Sequence, residues 1–396
     1  MKNKIYIGDN YDILKSTEFE KFSGKIKMIY IDPPYNTKSC KSYNDKTSSI
    51  TWGLFMKKRL ELSKNLLKED GVIFISIDDN EYANLKLICD DIFEKENFVG
   101  TFITKQAQRS NAKHINTVHE YILCFAKNKN KLHKFQINRM EIPEDRKMIN
   151  KLTKKVRDIL NEKGLEIANK ELKKIIKDYC LEYNITWLKN YSNIDENGDI
   201  FFSVDLSTPG KPRRVKIDSI GLELEPLATR GWSSDNKFIK LFNDNRLSFK
   251  DGRPYAKHFL YESKDNVPSV LNFYSRQGTN DLKKLGIDGL FDTPKPVELL
   301  KFLIRISTKK DDIILDYFAG SGTLAQAVYE VNSEDLRNNK YILIQIKEPV
   351  NEKSDVYNNC KILNIKPTVD EIMKYRIKTY LKSKNKDEDF EVYEME

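Results

Sequence analysis

A short turn that follows an apolar run combines a carboxylate, two prolines and an aromatic ring. Residues 28–31 have the composition of a buried strand, and Asp32, Pro33, Pro34 and Tyr35 follow them directly. Consecutive prolines fix φ and remove two N–H donors, so the turn offers acceptors. A carboxylate and a proline carbonyl can accept from the exocyclic amine of a flipped nucleobase while an aromatic ring stacks on the base. A purely structural turn with a helix-capping aspartate stays open as an alternative.

A glycine turn near the other end of the chain is the second candidate for chemistry. Residues 313–315 predict a strand, Asp316 follows it, and Gly320 and Gly322 precede a predicted helix that starts at Thr323. Glycines let a backbone approach a ligand closely, and open α/β sheets bind ligands at the carboxyl edge of such strands. An acid before the glycines favours a ligand with a cationic end, such as the amino-acid head and sulfonium of S-adenosylmethionine. A tight turn that merely starts a helix is the alternative.

The elements that must position both turns follow from hydrophobic periodicity. Apolar runs alternate with amphipathic segments, which predicts βαβ units and a parallel sheet covered on both faces. The predicted strands are 28–31, 72–77, 121–125, 313–315 and 341–346, and the predicted helices are 51–67, 82–93, 297–307, 323–331 and 368–381. Because the carboxyl ends of parallel strands meet at one edge, we expect the two turns to lie side by side.

The middle of the chain has a different character. Residues 144–183 carry apolar positions at helical spacing among many lysines, which predicts amphipathic helices with basic outer faces. Residues 190–285 are polar and loop-rich, with arginines beside glycines and aromatic residues. We therefore assign 130–285 to a separate module and 383–396 to a charged, frayed tail.

The positive charge of the chain is regional. The net charge is +9, yet residues 101–180 hold 19 Lys and Arg against 9 Asp and Glu, so the rest of the chain sums to about −1. A concentrated basic segment suits contact with the phosphate backbone of a nucleic acid. A coding bias towards lysine is the alternative, but it explains the abundance of lysine better than the local imbalance.

Composition argues against several classes of protein. No apolar run reaches the length of a membrane span, and the N-terminus lacks the apolar core of a signal peptide, which predicts a cytoplasmic protein without membrane contact. The five cysteines are widely spaced and form no CxxC, so a disulfide framework and structural zinc are not expected. His114 and His119 are the only close histidine pair, with Glu120 beside them, and we predict no metal site.

The two turns together resemble the paired signature of amino-methylating DNA methyltransferases, in the permuted β-class order with the catalytic motif first. Further segments closely resemble the modification (Mod) subunits of type III restriction-modification systems, namely 32–37, 43–45, 52, 55–56, 59–60, 71–81, 119–123 and 293–296. The resemblance covers roughly residues 1–128 and 286–380. It implies an α/β fold, a Rossmann-like S-adenosylmethionine-dependent methyltransferase sheet with an inserted target-recognition region.

The resemblance also implies site residues. Asp32, Pro33, Pro34 and Tyr35 would form the catalytic turn, in which Asp32 and the Pro33 carbonyl hold the target amine and Tyr35 stacks on the flipped base. Aspartate at the first position is usual for adenine N6, whereas serine is commoner in cytosine N4 enzymes. The implied cofactor-binding residues are Asp9, Asn10, Lys295, Asp316, Phe318, Gly320, Ser321, Gly322, Thr323 and Gln345. Gln345 stands where many methyltransferases place an acid for the ribose hydroxyls.

We therefore expect a site-specific methyltransferase that transfers a methyl group from S-adenosylmethionine to N6 of a flipped adenine in double-stranded DNA, in a restriction-modification or orphan methylation system. The expected domains are a catalytic half at 1–129, target recognition at 130–285 and a cofactor-binding half at 286–382. Cytosine N4 methylation, methylation of RNA or of a protein glutamine, and a DNA-binding module without catalysis stay open. A homodimer and a restriction subunit are open as partners besides DNA.

Overall fold

The computed structural model of the protein describes residues 1–37, 48–105 and 114–395. Residues 43–45, which contribute to the resemblance, lie outside the described residues. The chain divides into a first unit, Met1–Phe135 with Val267–Glu396, and a second unit, Gln136–Asn266. Within the described ranges, no helix is both long and apolar enough to cross a membrane.

The helices and strands follow one another along the chain in three stretches. The first stretch contains β1 (Asn3–Ile7), α1 (Asn10–Lys15), α2 (Thr17–Glu20), β2 (Ile26–Ile31), α3 (Ser49–Leu66), β3 (Leu67–Ile77), α4 (Tyr82–Phe93), β4 (Phe98–Lys105) and β5 (His119–Ala126). The second contains β6 (Gln136–Asn138), α5 (Pro143–Lys163), α6 (Leu165–Glu182), β7 (Asn193–Ile194), β8 (Ile200–Asp205), β9 (Ser207–Thr208), β10 (Val215–Ile217), β11 (Leu222–Leu224), β12 (Gly231–Trp232), α7 (Asp235–Asn243), β13 (Leu247–Lys250), β14 (Arg253–Phe259) and β15 (Lys264–Asn266). The third contains β16 (Val270–Tyr274), α8 (Arg276–Lys284), α9 (Val297–Ser307), β17 (Ile313–Asp316), α10 (Thr323–Glu334), β18 (Lys340–Gln345), α11 (Asp355–Ile362), α12 (Val369–Ser383) and β19 (Phe390–Glu394).

The first unit is built on a 9-stranded sheet with the order β16-β4-β5-β3-β2-β17-β18-β1-β19. Neighbouring strands pair in parallel, except that β5 is antiparallel to both β3 and β4. Strand β2 lies between β3, which comes from the first part of the chain, and β17, which comes from the last part. The strand order reverses between β2 and β17, and at such a point open α/β sheets have a crevice at the carboxyl ends of the strands, where ligands bind.

The centre of the sheet is buried on both faces. Every residue of β2 is buried, and alternate side chains point to opposite faces. Ile29 and Ile31 belong to a core cluster with Trp52 and Met56 of α3. Towards one edge of the sheet, Phe302 of α9 packs its ring edge-on against Phe102 of β4, with centroids 6.1 Å apart. Because both faces of these strands are buried, their sequences are continuous apolar runs rather than alternating apolar and polar residues.

The second unit has its own cores. Helices α5 and α6 bury one apolar face each in a cluster that includes Leu152, Val156, Leu172 and Ile176. A 4-stranded antiparallel sheet has the order β13-β14-β8-β7. Leu206, Val215, Trp232 and Phe238 belong to a further core cluster.

Several predicted elements are confirmed and others are corrected. Helices α4 and α9 have the predicted bounds, and α5 and α6 fill the predicted basic helical segment. The expected parallel sheet is interrupted at β5, which runs antiparallel to β3 and β4. Composition did not indicate this, because a strand buried on both faces has the same apolar composition in either direction.

Two predicted boundaries also differ. The module predicted for 130–285 ends earlier, because β16 pairs with β4 and belongs to the first unit. The tail predicted to fray over 383–396 instead forms β19, which pairs with β1 at the edge of the sheet. Its charged outward side chains are typical of an edge strand, so composition alone suggested disorder.

Candidate active site

The two turns singled out by sequence lie at the ends of neighbouring strands. Asp32 follows β2 directly and Asp316 ends β17, and the two strands are paired over Ile313–Leu315. Both turns border one cavity of about 1080 Å³. The predicted site residues that line it are Asp9, Asn10, Asp32, Pro33, Pro34, Tyr35, Lys295, Asp316, Phe318, Gly320, Ser321, Thr323 and Gln345. Gly322 is not among the lining residues.

The proline turn is fixed from inside the protein. The Tyr35 hydroxyl donates to Asp32 Oδ1 over 2.8 Å, and the Trp52 indole N–H donates to the Pro34 carbonyl over 2.7 Å. Among the described residues, none donates a hydrogen bond to the Pro33 carbonyl or to Asp32 Oδ2. Burial, together with the charge of Asp32, raises the pKa of Tyr35 well above its ordinary value, so the hydroxyl keeps its proton. The turn therefore presents two acceptors to a ligand.

A lysine and a second carboxylate complete this acceptor side. Lys295 Nζ donates to Tyr35 Oη over 2.7 Å and to Glu120 Oε2 over 2.8 Å, and it forms an ion pair with Asp32 Oδ1 at 3.1 Å. Burial lowers the pKa of Lys295, but the charges of Asp32 and Glu120 outweigh burial and raise it well above the ordinary value. Lys295, predicted at the cofactor, thus contacts the proline turn.

The glycine turn brings a buried carboxyl group to the other side of the cavity. Asp316 is 3% exposed and accepts from the Phe318 N–H over 2.9 Å. Burial, with a smaller contribution from the charge of Asp32, raises the pKa of Asp316 to about 8, against the effect of the Phe318 hydrogen bond. At neutral pH this side chain is mostly a neutral acid that would ionise next to a cation.

Gln345 supports the glycine turn. Its Oε1 accepts from the Gly320 N–H over 2.8 Å, and its Nε2 donates to the Ile346 carbonyl. The φ of Gly320 is 52°, in the left-handed region that favours glycine. The Gln345 side chain therefore holds the backbone of the turn, in addition to lining the cavity.

The rear of the glycine turn rests on α12. Arg376 is 1% exposed and donates from Nη1 to Ser321 Oγ over 2.7 Å and to Thr323 Oγ1 over 2.6 Å. A Cβ on Gly322, whose φ is 75°, would stand 2.8 Å from Met373 Cγ. Ser321, Gly322 and Thr323 thus join the turn to α12. No local pattern marks Arg376 in the sequence, because Ser321 and Thr323 lie more than 50 positions away.

Asp9 and Asn10 form a third wall of the cavity. Asp9 caps α1 by accepting from the Tyr11 N–H over 2.7 Å, and it pairs with Arg59 Nη2 at 3.2 Å. Asn10 Nδ2 donates to the Tyr317 carbonyl over 2.6 Å, which ties this wall to the segment that follows β17. The Arg59 guanidinium also covers the Phe55 ring at 3.7 Å. Arg59 belonged to the resemblance, but no role was predicted for it.

Glu120 is the functional candidate that sequence reasoning missed. It stands on β5, 175 positions from Lys295, and was considered only as a neighbour of a histidine pair. Its presence in the resembling segment 119–123 is the one signal that could have marked it.

The chain is similar in sequence to DNA methylases and to restriction-modification enzymes. Residues 26–354 match the family model described as DNA methylase. The chain is 32% identical over 444 residues to the type III restriction-modification enzyme EcoP15I Mod subunit of Escherichia coli, covering 98% of this chain and 64% of that protein. It is 29% identical over 380 residues to the type II methyltransferase M.KpnI of Klebsiella pneumoniae, covering 90% of this chain and 84% of that one. The solved structure of the PvuII DNA methyltransferase (cytosine-N4-specific) covers 92% of each chain with a TM-score of 0.44 and 12% identity.

The length of the match differs among these relatives. The chain spans 64%, 59% and 56% of three Mod subunits to which it is similar, those from Escherichia coli, Escherichia phage P1 and Salmonella typhimurium. The family model begins at β2 and ends beyond β18, so it includes both the proline turn and the glycine turn. The chain belongs to the DNA methylase family.

Proposed function

We propose that the protein is a site-specific DNA methyltransferase that transfers the methyl group of S-adenosylmethionine to N6 of adenine in double-stranded DNA. The observation that carries the proposal is the pairing of β2 with β17. This pairing sets an acceptor turn and a buried acid on the same cavity, where an amine and a cationic methyl donor can meet. Methyl transfer to an amine depends mainly on such positioning.

The glycine side of the cavity fits the chemistry of S-adenosylmethionine. Asp316 is a buried acid with no ion-pair partner among the described residues, and a bound ammonium group would supply one. Phe318 and Phe55 offer aromatic surface, with ring centroids 6.0 Å apart. When bound, S-adenosylmethionine supplies a methyl group on a positively charged sulfur, from which a nucleophile can displace it.

The acceptor turn would hold the target amine. An exocyclic amine has two N–H groups, and Asp32 Oδ2 and the Pro33 carbonyl are the two acceptors that the described residues leave for them. Hydrogen bonds to both N–H groups draw the nitrogen lone pair out of conjugation with the ring and favour attack on carbon. Tyr35 provides the ring on which a flipped base can stack.

We propose adenine rather than cytosine because the acceptor turn begins with Asp32, the residue that the resemblance associates with N6 methylation. The test incubates the purified protein with methyl-labelled S-adenosylmethionine and duplex DNA from a host free of methylation, then separates the nucleosides. Label in N6-methyladenine is expected. Label in N4-methylcytosine would overturn the choice of base, and transfer only to RNA or protein would overturn the choice of substrate.

The Asp32→Ala variant provides the matched control. It should abolish methyl transfer while S-adenosylmethionine still binds, because Asp32 Oδ2 faces the amine in this scheme rather than the cofactor. Wild-type turnover by Asp32→Ala would refute the assigned role of the acceptor turn.

We further propose that the second unit, Gln136–Asn266, supplies target recognition. Helices α5 and α6 expose lysines for which no ion pair is found among the described residues, including Lys154, Lys155, Lys173 and Lys174. Such lysines suit phosphate contacts. We also propose a cytoplasmic location and, from the names of the Mod relatives, a restriction subunit as partner. Mass measurement of the complex purified from its host would reveal that subunit or a homodimer.

A further inference from the structure

We propose that Lys295 is a positioning residue that fixes Oδ1 of Asp32, so that Oδ2 is presented to the target amine, and that Glu120 is a positioning residue that orients Lys295. The inference rests on the proposed function and extends it to two residues outside the catalytic turn. It also moves Lys295 from the predicted cofactor site to the acceptor side.

The first support is the geometry around the lysine nitrogen. An ammonium group has three protons. Three oxygens lie around Lys295 Nζ, at 2.7 Å for Tyr35, 2.8 Å for Glu120 and 3.1 Å for Asp32. Asp32 Oδ1 also accepts from Tyr35, so this oxygen is held from two directions. The orientation of the carboxylate is thereby set, and Oδ2 remains for a ligand.

The second support is the origin of the three groups in three separate elements. Asp32 follows β2, Glu120 lies on β5, and Lys295 precedes α9. The Lys295 segment is itself held, because Asp281 Oδ2 accepts from the Val297 N–H over 3.0 Å. A Cβ on Gly278 of α8 would stand only 1.8 Å from the Pro294 carbonyl oxygen, so α8 packs directly against this segment. The closely packed backbone on both sides of Lys295 therefore fixes where its side chain meets the two carboxylates.

The third support is the balance of charge. Two carboxylates that share one ammonium are close neighbours, and without the ammonium their repulsion would favour protonation of one of them. The titratable groups around Asp32 come from every side, namely Tyr30 of β2, Tyr35, Asp78 next to Glu120, Lys295 and Asp316 of β17. Lys295 is the cation among them. Lys295 thus offsets the negative charge that Asp32 and Glu120 bring to the acceptor side.

The inference is tested by the pH dependence of kcat for methyl transfer to duplex DNA, whose acid limb reports ionisation of the acceptor in the complex. In Lys295→Met the acid limb should move up by about one pH unit or more, because Glu120 then repels the Asp32 charge. In Glu120→Gln it should move down, because the ammonium then pairs with Asp32 alone. The double variant should lie between the two, and Lys295→Arg should restore most of the wild-type limb.

Two readouts separate this role from others. Calorimetry should find the affinity for S-adenosylmethionine unchanged within about threefold in Lys295→Met, whereas a tenfold loss would return Lys295 to the cofactor site and overturn the inference. Unmoved acid limbs in both single variants would reduce the pair to a structural role. If Lys295→Met fails to fold, Glu120→Gln alone decides, because a downward shift supports the inference and no shift refutes it. An inactive wild-type protein would refute the proposed function instead.

Discussion

The buried acid at the end of β17 should make cofactor binding depend on pH. Burial raises the pKa of Asp316 to about 8, so the free protein carries mostly the neutral acid at pH 7. A cation placed beside this side chain favours the ionised form. Binding of S-adenosylmethionine should therefore release a proton, and affinity should rise with pH until the free protein is itself ionised.

The magnitude follows from the pKa. With a value near 8, about nine tenths of Asp316 is protonated at pH 7, and ionising it for a ligand costs about 1.4 kcal/mol. The ionised fraction grows about 25-fold between pH 6 and pH 7.5, so the dissociation constant should fall by about that factor if the bound form stays ionised throughout. The window ends at 7.5 because the α-amino group of the ligand itself titrates near 8.

The assay is titration calorimetry with S-adenosylmethionine at pH 6, 6.75 and 7.5, repeated at pH 7 in two buffers of different ionisation enthalpy. The wild-type protein should show the rise in affinity and about 0.9 proton released per ligand at pH 7. In Asp316→Asn, both the rise in affinity with pH and the proton release should disappear. Asp335→Asn is the matched control, since it removes a carboxylate outside the cavity that pairs with Arg305 and Arg337. A wild-type affinity independent of pH, with no buffer dependence, would refute the assignment of Asp316 to the cationic end of the ligand.

The remaining predictions concern the supports of the site. Gly322→Ala should lower the free energy of unfolding by about 1–3 kcal/mol, because the alanine is strained in the left-handed region and its Cβ overpacks against Met373. Gly24 has a φ of 65° and open space around it, so Gly24→Ala should lower the free energy of unfolding only by the cost of the strain, as measured by thermal unfolding. Trp52→Phe removes the donor to the Pro34 carbonyl and should lower kcat about tenfold with an unchanged cofactor dissociation constant; an unchanged kcat would contradict this. Replacing Lys154, Lys155, Lys173 and Lys174 with glutamine should reduce the slope of log affinity for DNA against log salt by up to about 3.6, whereas glutamine at Lys382, Lys384 and Lys386 should leave it unchanged.

Local sequence patterns predicted the elements that local forces determine. The bounds of α4 follow from apolar positions at helical spacing, with Leu85, Cys89 and Ile92 buried. The meeting of the two turns was also predictable, because parallel strands bring their carboxyl ends to one edge. By contrast, β19 could not be identified from a charged tail, because an edge strand is stabilised by backbone hydrogen bonds to β1 rather than by an apolar pattern.

The contacts within the site that sequence reasoning missed are those created by long-range pairing. Lys295 and Glu120 are far apart in sequence, and neither stands in a pattern that indicates a partner. Arg376 lies in a helix whose periodicity explains its burial but not its hydrogen bonds to Ser321 and Thr323. Residue types at a turn can thus indicate the chemistry of a ligand, whereas the charges that tune those residues depend on the folded sheet.

The charges on the two sides of the cavity are coupled, and this coupling separates the two pH effects. The charge of Asp32 contributes to the raised pKa of Asp316, so the free protein avoids a third negative charge by keeping Asp316 neutral while Lys295 balances Asp32 and Glu120. When a cation binds at Asp316, the Asp316 carboxyl group loses its proton, so the net charge next to Asp32 changes little. The pH dependence caused by Asp316 should therefore appear in cofactor affinity and vanish at saturating cofactor. The shift caused by Lys295→Met should persist there, because it arises on the acceptor side.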